Sequence, residues 1–189
     1  MQWSDEELVD KFKSGSVEAF EELVNRYERK VYTLAYRFTG NYADAGDMVQ
    51  EVFIRVYRAL PKFRAESSFS TWIYKVAANV CRDELRKQRR RKSVSLENME
   101  ANQGEIAVAD DAQSPEEFVE QRDLQARVQK YIDQLTEDQR MILLLREMHQ
   151  LSYEEMADVL ECSLGTVKSR LSRARLALKN KMQAAGELS

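Results

Sequence analysis

The sequence predicts an all-α protein of two small helical domains joined by a flexible acidic linker, with a helix-turn-helix in the C-terminal one. Three observations carry that expectation. Apolar residues recur at helical spacing through the first ninety or so positions, and no segment reads convincingly as a strand. Capping residues, glycines and prolines punctuate the pattern where helices should start and stop. From Ser93 to Gln113 the periodicity disappears and acidic and small polar residues dominate, the composition of a tether. The expected domains are 1–94 and 114–189, with the linker at 95–113.

The elements follow in order. Ser4 with Glu7 makes a capping box for a short helix bearing Leu8, Val9 and Phe12, which Gly15 ends. Ser16 starts a longer helix with Phe20, Leu23, Val24, Tyr27, Val31, Leu34 and Phe38 on its apolar side, stopped by Gly40-Asn41. A third helix runs from about Asp44 to Leu60, with Met48, Val49, Val52, Phe53, Val56 and Tyr57 inward, and Pro61 closes it. After the loop KFRAESSF, Ser70 is positioned to cap a fourth helix continuing to about Arg91, buried through Ile73, Val76, Ala77 and Val80. Ser114-Pro115-Glu116-Glu117 is a strong helix start, with a cap, a proline at the first position and acids near the positive end of the dipole. Two further helices lead to Leu151–Met182. There Ser152 and Glu155 form a second capping box ahead of Tyr153, Met156, Ala157 and Leu160. Ser163 then caps a last helix with Val167, Leu171, Ala174 and Leu178 at helical spacing.

A length of 189 residues suits one domain or two small ones, and 43% hydrophobic with 32% charged residues describes a soluble globular chain. The net charge of −3 hides an asymmetry. Residues 1–92 hold 18 basic and 14 acidic side chains, residues 93–121 eight acids and no base, and residues 122–189 eleven basic and ten acidic. Two basic modules therefore flank an acidic strap. The N-terminus lacks the pattern of a signal peptide, and no apolar run approaches the roughly 20 residues that span a bilayer. Cys81 and Cys162 lie far apart and read as two reduced thiols in a cytosolic protein.

Two surfaces suggest nucleic acid. The last helix carries Lys168, Arg170, Arg173, Arg175, Lys179 and Lys181 with no acid among them, while the helix before it holds Glu154, Glu155 and Asp158. Its outward positions near the start are Gly165, Thr166, Ser169 and Ser172, small enough for the helix to sit deep in a major groove. A solvated basic face on an ordinary helical hairpin is the plainer reading of the same charges. On the fourth helix, Trp72, Lys75, Asn79, Arg82 and Arg86 fall on one line, followed by the cluster Lys87, Arg89, Arg90, Arg91 and Lys92. An aromatic, an amide and several cations in a row suit a single strand with unstacked bases. Phe63 and Phe69, with Arg64 between them, add flat surfaces, although all three aromatics equally suit the edge of a small core. A duplex-reading surface and an unstacked-base surface on one chain suit a protein that opens DNA at a fixed distance from a site it reads closed.

Three segments, DAGDMVQEVFIRVYRAL, FRAESSFSTWIYKVAANVCRDELR and LSYEEMADVLECSLGTVKSRLSRAR, resemble the signature segments of bacterial sigma factors of the extracytoplasmic function (ECF) type, within the sigma-70 family. The resemblance covers nearly the whole chain outside the acidic linker. It implies a dissociable promoter-recognition subunit that binds core RNA polymerase through its beta and beta-prime subunits, is a monomer when free, and is regulated by an anti-sigma factor. It implies polymerase docking by Asp47, Gln50, Glu51, Ile54 and Arg58. It implies minus-ten DNA contacts by Phe63, Arg64, Ser67, Ser68, Phe69, Trp72, Lys75, Asn79, Arg82 and Arg86, with a flipped base held by the loop and Asn79. For the minus-thirty-five duplex it implies Thr166, Lys168, Ser169, Ser172 and Arg173 in the groove, and Arg170 and Arg175 on phosphates. It also implies a bacterial cytoplasmic location and no membrane insertion. Gly46 departs from the pattern, since relatives often carry an acid there, and a mid-helix glycine costs about 1 kcal/mol of helix propensity relative to alanine.

Two other readings compete. A stand-alone dimeric helix-turn-helix regulator explains the last module and leaves the Trp72–Arg86 stripe without a task. A DNA-processing enzyme would need a nucleophile beside a base, or a carboxylate cluster for a metal. The single histidine, His149, reads as a surface or packing residue, and with Cys81 and Cys162 it lacks zinc-ligand spacing. No catalytic residue, cofactor or metal is expected.

Overall fold

The computed structural model of the chain describes residues 3–94 and 127–187. The acidic linker and the helix start at Ser114 lie outside the described residues. Four helices form the first domain: α1 (Asp5–Lys13), α2 (Val17–Thr39), α3 (Tyr42–Ala59) and α4 (Phe69–Val94), with a short 3-10 turn at Leu60–Lys62. In the second domain a helical segment covers 127–133 (α5), followed by α6 (Glu137–Leu143), a π-helical turn at Leu144–Met148, α7 (Tyr153–Leu160) and α8 (Leu164–Ala184). The described residues contain no strand.

Local hydrogen bonds explain the element boundaries. The Ser4 and Ser152 capping boxes are both present, with Ser4 accepting from the Glu7 amide at 3.2 Å and Ser152 from the Glu155 amide at 3.1 Å. Thr136 with Gln139 makes a third at the start of α6. Gly40 ends α2 in the left-handed region at φ 70°, where a side chain would be strained and would meet the Asp133 carboxylate. Asn41 then caps α3 by accepting from the Asp44 amide, so α3 starts at Tyr42, earlier than the sequence suggests.

One cap differs from expectation. Ser68, not Ser70, accepts from the Thr71 amide at 3.1 Å, and its hydroxyl also meets that of Thr71. Starting the helix two residues earlier makes Phe69 its first residue and turns the ring into the core, where it is 1% exposed.

Helices α2, α3 and α4 pack on one another with α1 across α2, around Leu8, Leu23, Leu34, Phe38, Leu60, Phe69 and Ile73. In the second domain, α6, α7 and α8 close around Met141, Ile142, Leu145, Met156, Val167 and Leu171. Each such side chain contributes about 1.5–3 kcal/mol on burial. The arrangement of the domains, which the sequence leaves open, is a direct contact. Helix α7 lies on α4, and α2 meets α6 and the π-helical turn. The buried apolar residues of both domains join in one cluster.

That contact changes the wheel of α4. Ile73, Ala77 and Val80 are buried as the pattern requires, and Val76 is partly so. Thr71, Tyr74, Ala78 and Cys81 are buried as well, because neighbours cover more than one side of this helix. On α3, Tyr57 is 46% exposed and offers ring edges to Phe12 and Phe20 instead of entering the core.

Candidate nucleic-acid interface

The loop between α3 and α4 is built on aromatic packing. Phe63 and Trp72 are half-buried with ring centroids 4.8 Å apart, and Phe69 lies beneath them against Tyr27 at 5.3 Å. Lys13 of α1 donates to the Phe63 carbonyl at 2.7 Å and anchors the loop's entry. Ala65 takes a positive φ of 55°, which turns the chain between the exposed Arg64 and the half-buried Ser67. Phe69, expected to offer a flat face to a base, offers none, because the Ser68 cap directs it inward. Phe63, Trp72, Arg64, Ser67 and Ser68 remain accessible in whole or part.

Along α4 the expected line is real in space but unevenly available. Asn79 and Arg86 are exposed and Arg82 is half-buried, with its guanidinium 3.5 Å from the Asn79 amide oxygen. Lys75 is engaged by α7, 3.1 Å from Glu161 and 3.6 Å from Asp158. Burial opposes the Lys75 charge, but the two carboxylates outweigh it and hold the ammonium above its ordinary value. The cation cluster also meets carboxylates within the protein. Arg86 lies 3.9 Å from Asp83, Lys87 3.4 Å from Glu84, and Arg89 pairs with Glu137 of α6.

On α3, Asp47, Gln50, Ile54 and Arg58 are exposed, and Ile54 leaves 44% of its surface to solvent. Glu51 accepts from Arg55 at 2.7 Å, and Arg55 reaches on to Asp83 of α4 at 3.0 Å. These bonds raise the Arg55 guanidinium above its ordinary value and fix the rim of this face.

Helix α8 begins where Glu161 takes a left-handed conformation at φ 51° and Ser163 accepts from the Thr166 amide at 3.2 Å. Lys168, Ser169, Ser172 and Arg173 are exposed, and nothing but the Ser163 hydroxyl comes within 4 Å of a Cβ at Gly165. Arg173 folds back on its own helix, donating to the Ser169 carbonyl at 3.2 Å. Arg170 lies 4.0 Å from Asp138, and Arg175 binds Glu147 at 2.6 and 2.9 Å, which raises the Arg175 guanidinium.

The sequence gives no sign of the residues that join the domains. Tyr74 meets His149, Thr71 donates to Glu155, and Arg37 exchanges bonds with Gln129. Gln129 is buried, and its amide finds at this boundary the partners it needs on leaving water. Cys81 is buried, which pushes its thiol up to about 12, and both cysteines are free. Among the described residues no group of three or more His, Cys, Asp and Glu is placed to hold a metal, and no helix is long and apolar enough to cross a membrane.

Comparison with known proteins covers both domains. Residues 23–91 match the family Sigma-70 region 2, and residues 125–178 match Sigma-70, region 4. The chain is 40% identical over 185 residues to the RNA polymerase sigma-H factor of Pseudomonas aeruginosa, covering 96% of this chain and 95% of that one. It is 41% identical over 184 residues to the ECF RNA polymerase sigma-E factor of Escherichia coli, covering 96% of each. Among solved structures, CnrH in complex with the cytosolic domain of CnrY aligns with a TM-score of 0.71 and 25% identity, over 95% of this chain and 97% of that one. The sigma factor RpoE of Bartonella quintana, bound to the anti-sigma factor NepR, shares the fold with a TM-score of 0.72 and 24% identity, over 88% of this chain and 98% of that one. The protein belongs to the sigma-70 family of RNA polymerase sigma factors, in its ECF branch.

Proposed function

We propose that the chain grips a promoter at two points while bound to core RNA polymerase. The first domain (1–94) docks through the α3 face of Asp47, Gln50, Glu51, Ile54 and Arg58. It receives the melted minus-ten strand along the loop and α4. The second domain (114–189) uses α7 and α8 as a helix-turn-helix to read the minus-thirty-five duplex through Thr166, Lys168, Ser169, Ser172 and Arg173. The linker (95–113) joins them. The protein is not an enzyme; polymerisation belongs to its partner, and it acts in the bacterial cytoplasm under an anti-sigma factor.

The observation that supports this reading best is the edge where α4 meets its preceding loop. The Phe63–Trp72 pair forms a firm half-open aromatic corner, and the exposed Asn79 amide follows along the helix with a row of cations beyond it. Stacking on such rings is sequence-tolerant, whereas an amide distinguishes base edges by hydrogen bonding. The dimeric-regulator alternative gives this corner no task, and two sigma-family regions on one chain favour the sigma reading.

In vitro transcription with core polymerase on a randomised promoter library tests function and specificity together. Asn79→Ala should lower promoter opening, read as permanganate reactivity of melted thymines, and leave upstream duplex binding intact. Normal reactivity in that variant would remove Asn79 from the strand-binding surface.

A further inference from the structure

We infer that Lys13, the last residue of α1, is a positioning residue of the strand-binding corner: it clamps Phe63 and thereby sets the base preference of the loop. The inference rests on the reading of the loop and α4 as the minus-ten strand face. Lys13 lies 50 residues before Phe63 in sequence, outside the segments that carry the promoter-contact motifs.

A cation in the last turn of a helix ordinarily attends the free carbonyls of that helix. In α1 other groups serve them. The Ser14 amide and hydroxyl donate to the Asp10 carbonyl at 3.0 and 2.9 Å, the Gly15 amide to that of Phe12 at 2.9 Å, and the Ser16 amide to that of Lys11 at 3.0 Å. Phe12 packs its ring against Phe20 and Tyr57, with centroids 5.4 and 5.3 Å away, which fixes the backbone from which Lys13 projects. The end of α1 is therefore complete without the ammonium, which crosses to the loop.

There it holds one residue in two ways. Nζ donates to the Phe63 carbonyl at 2.7 Å and lies over the Phe63 ring, 5.8 Å from its centroid, within the range of a cation-π contact. The Phe63 amide donates to the Leu60 carbonyl at 3.1 Å, so both polar groups of this residue's backbone are engaged. The ring then meets Trp72 at 4.8 Å and Phe69 edge-on at 6.4 Å. Past Phe63 the loop has little else to define it. Among the described residues, positions 64–67 make no hydrogen bond, and Ala65 keeps its positive φ until the Ser68 cap begins α4. A site discriminates between ligands only if its walls hold their spacing. The Phe63–Trp72 corner takes that spacing from the clamp on Phe63.

Two variants of the full chain test the inference. Lys13→Met keeps the apolar stem and removes the donor and the charge, whereas Lys13→Arg keeps both. Each is assayed with core polymerase on a library randomised over both promoter elements, and the templates that form open complexes are sequenced. Lys13→Met should lower the preference at a minus-ten position by roughly fivefold, the size of one net hydrogen bond. It should leave the minus-thirty-five preference and the melting temperature unchanged, and Lys13→Arg should restore the minus-ten preference. A second readout needs no DNA. Trp3 and Trp72 are the two tryptophans of the chain, so in Trp3→Phe the fluorescence reports Trp72 alone, and acrylamide should quench it more strongly once Lys13→Met is added. A minus-ten preference that Asn79→Ala alters and Lys13→Met does not overturns the inference. An equal loss across all sequences also overturns it, because that marks a phosphate contact. Preference lost at unchanged quenching assigns Lys13 to the base itself and overturns the positioning role. Quenching that rises while neither variant alters any minus-ten preference overturns the strand-face reading, with the clamp intact; if quenching is unchanged as well, the clamp falls with it.

Discussion

Acidification should loosen the contact between the domains through His149. The imidazole is half-buried at the boundary, with Nδ1 on the Tyr74 hydroxyl and Nε2 without a hydrogen-bond partner. Burial first, and the neighbouring Lys30 ammonium second, push its pKa down to about 4. Once the domains separate, the ring regains water and its ordinary value of about 6.5. Between those values the open form binds a proton that the closed form does not. Closure is therefore at full strength above about pH 6.5 and weakens as pH falls towards about 4. From pH 7.5 to pH 5.5 the linkage amounts to about 1.4 kcal/mol, trimmed to about 1 kcal/mol by the ring's partial exposure, a shift of about fivefold in the closed-to-open ratio. Energy transfer between dyes at Asn25→Cys and Asn180→Cys, with Cys162→Ser to prevent a third label, should fall over those two pH units when His149 is the wild-type residue. It should stay flat in His149→Gln, whose amide still reaches Tyr74 and does not titrate. A flat wild-type profile, or the same slope in the glutamine variant, refutes the reasoning.

Three other outcomes follow from the same geometry. Charge reversal at Asp47 and Glu51 together should weaken association with core polymerase while leaving the melting temperature within a few degrees, because both side chains lie on the outer part of α3; unchanged co-purification removes this face from the docking surface. Arg173→Ala should relax preference at one upstream base pair by about 1–3 kcal/mol, as measured by competition binding with single-base variants; equal loss across all sequences makes it a phosphate contact. Phe69→Ala should destabilise the chain by about 3–5 kcal/mol in denaturant unfolding, as for other buried aromatics. A loss of DNA binding at unchanged stability would show instead that the ring meets bases directly.

Much of the fold was legible because its determinants are close in sequence. Capping boxes such as Ser4–Glu7 and Ser152–Glu155 join residues three apart, and apolar stripes such as Leu23–Tyr27–Val31–Leu34 express one helical period. The start of α4 was harder to read. Ser68 and Ser70 are both plausible caps by composition, and burying Phe69 favours the first by placing a large ring in the core. The site residues divide in the same way. Asn79, Arg86, Lys168 and Arg173 are exposed as their helical positions require. Phe69 and Lys75 are not free, because what covers them comes from the core and from the second domain. Tyr57 shows the reverse, an apolar position in the pattern left half outside at the periphery of α3.

By itself, then, the sequence determined the helical class, most helix starts and the family to which the chain belongs, since each depends on neighbours within one or two turns. The tertiary structure decided which faces of those helices are available. Lys75 lies 83 and 86 residues before the carboxylates that hold it, and Tyr74 meets His149 across 75. No periodicity encodes such a pairing, because it depends on where two independently formed helical units come to rest against each other. That contact places α7 over part of the α4 line and leaves Asn79 and the arginines beyond it open to solvent.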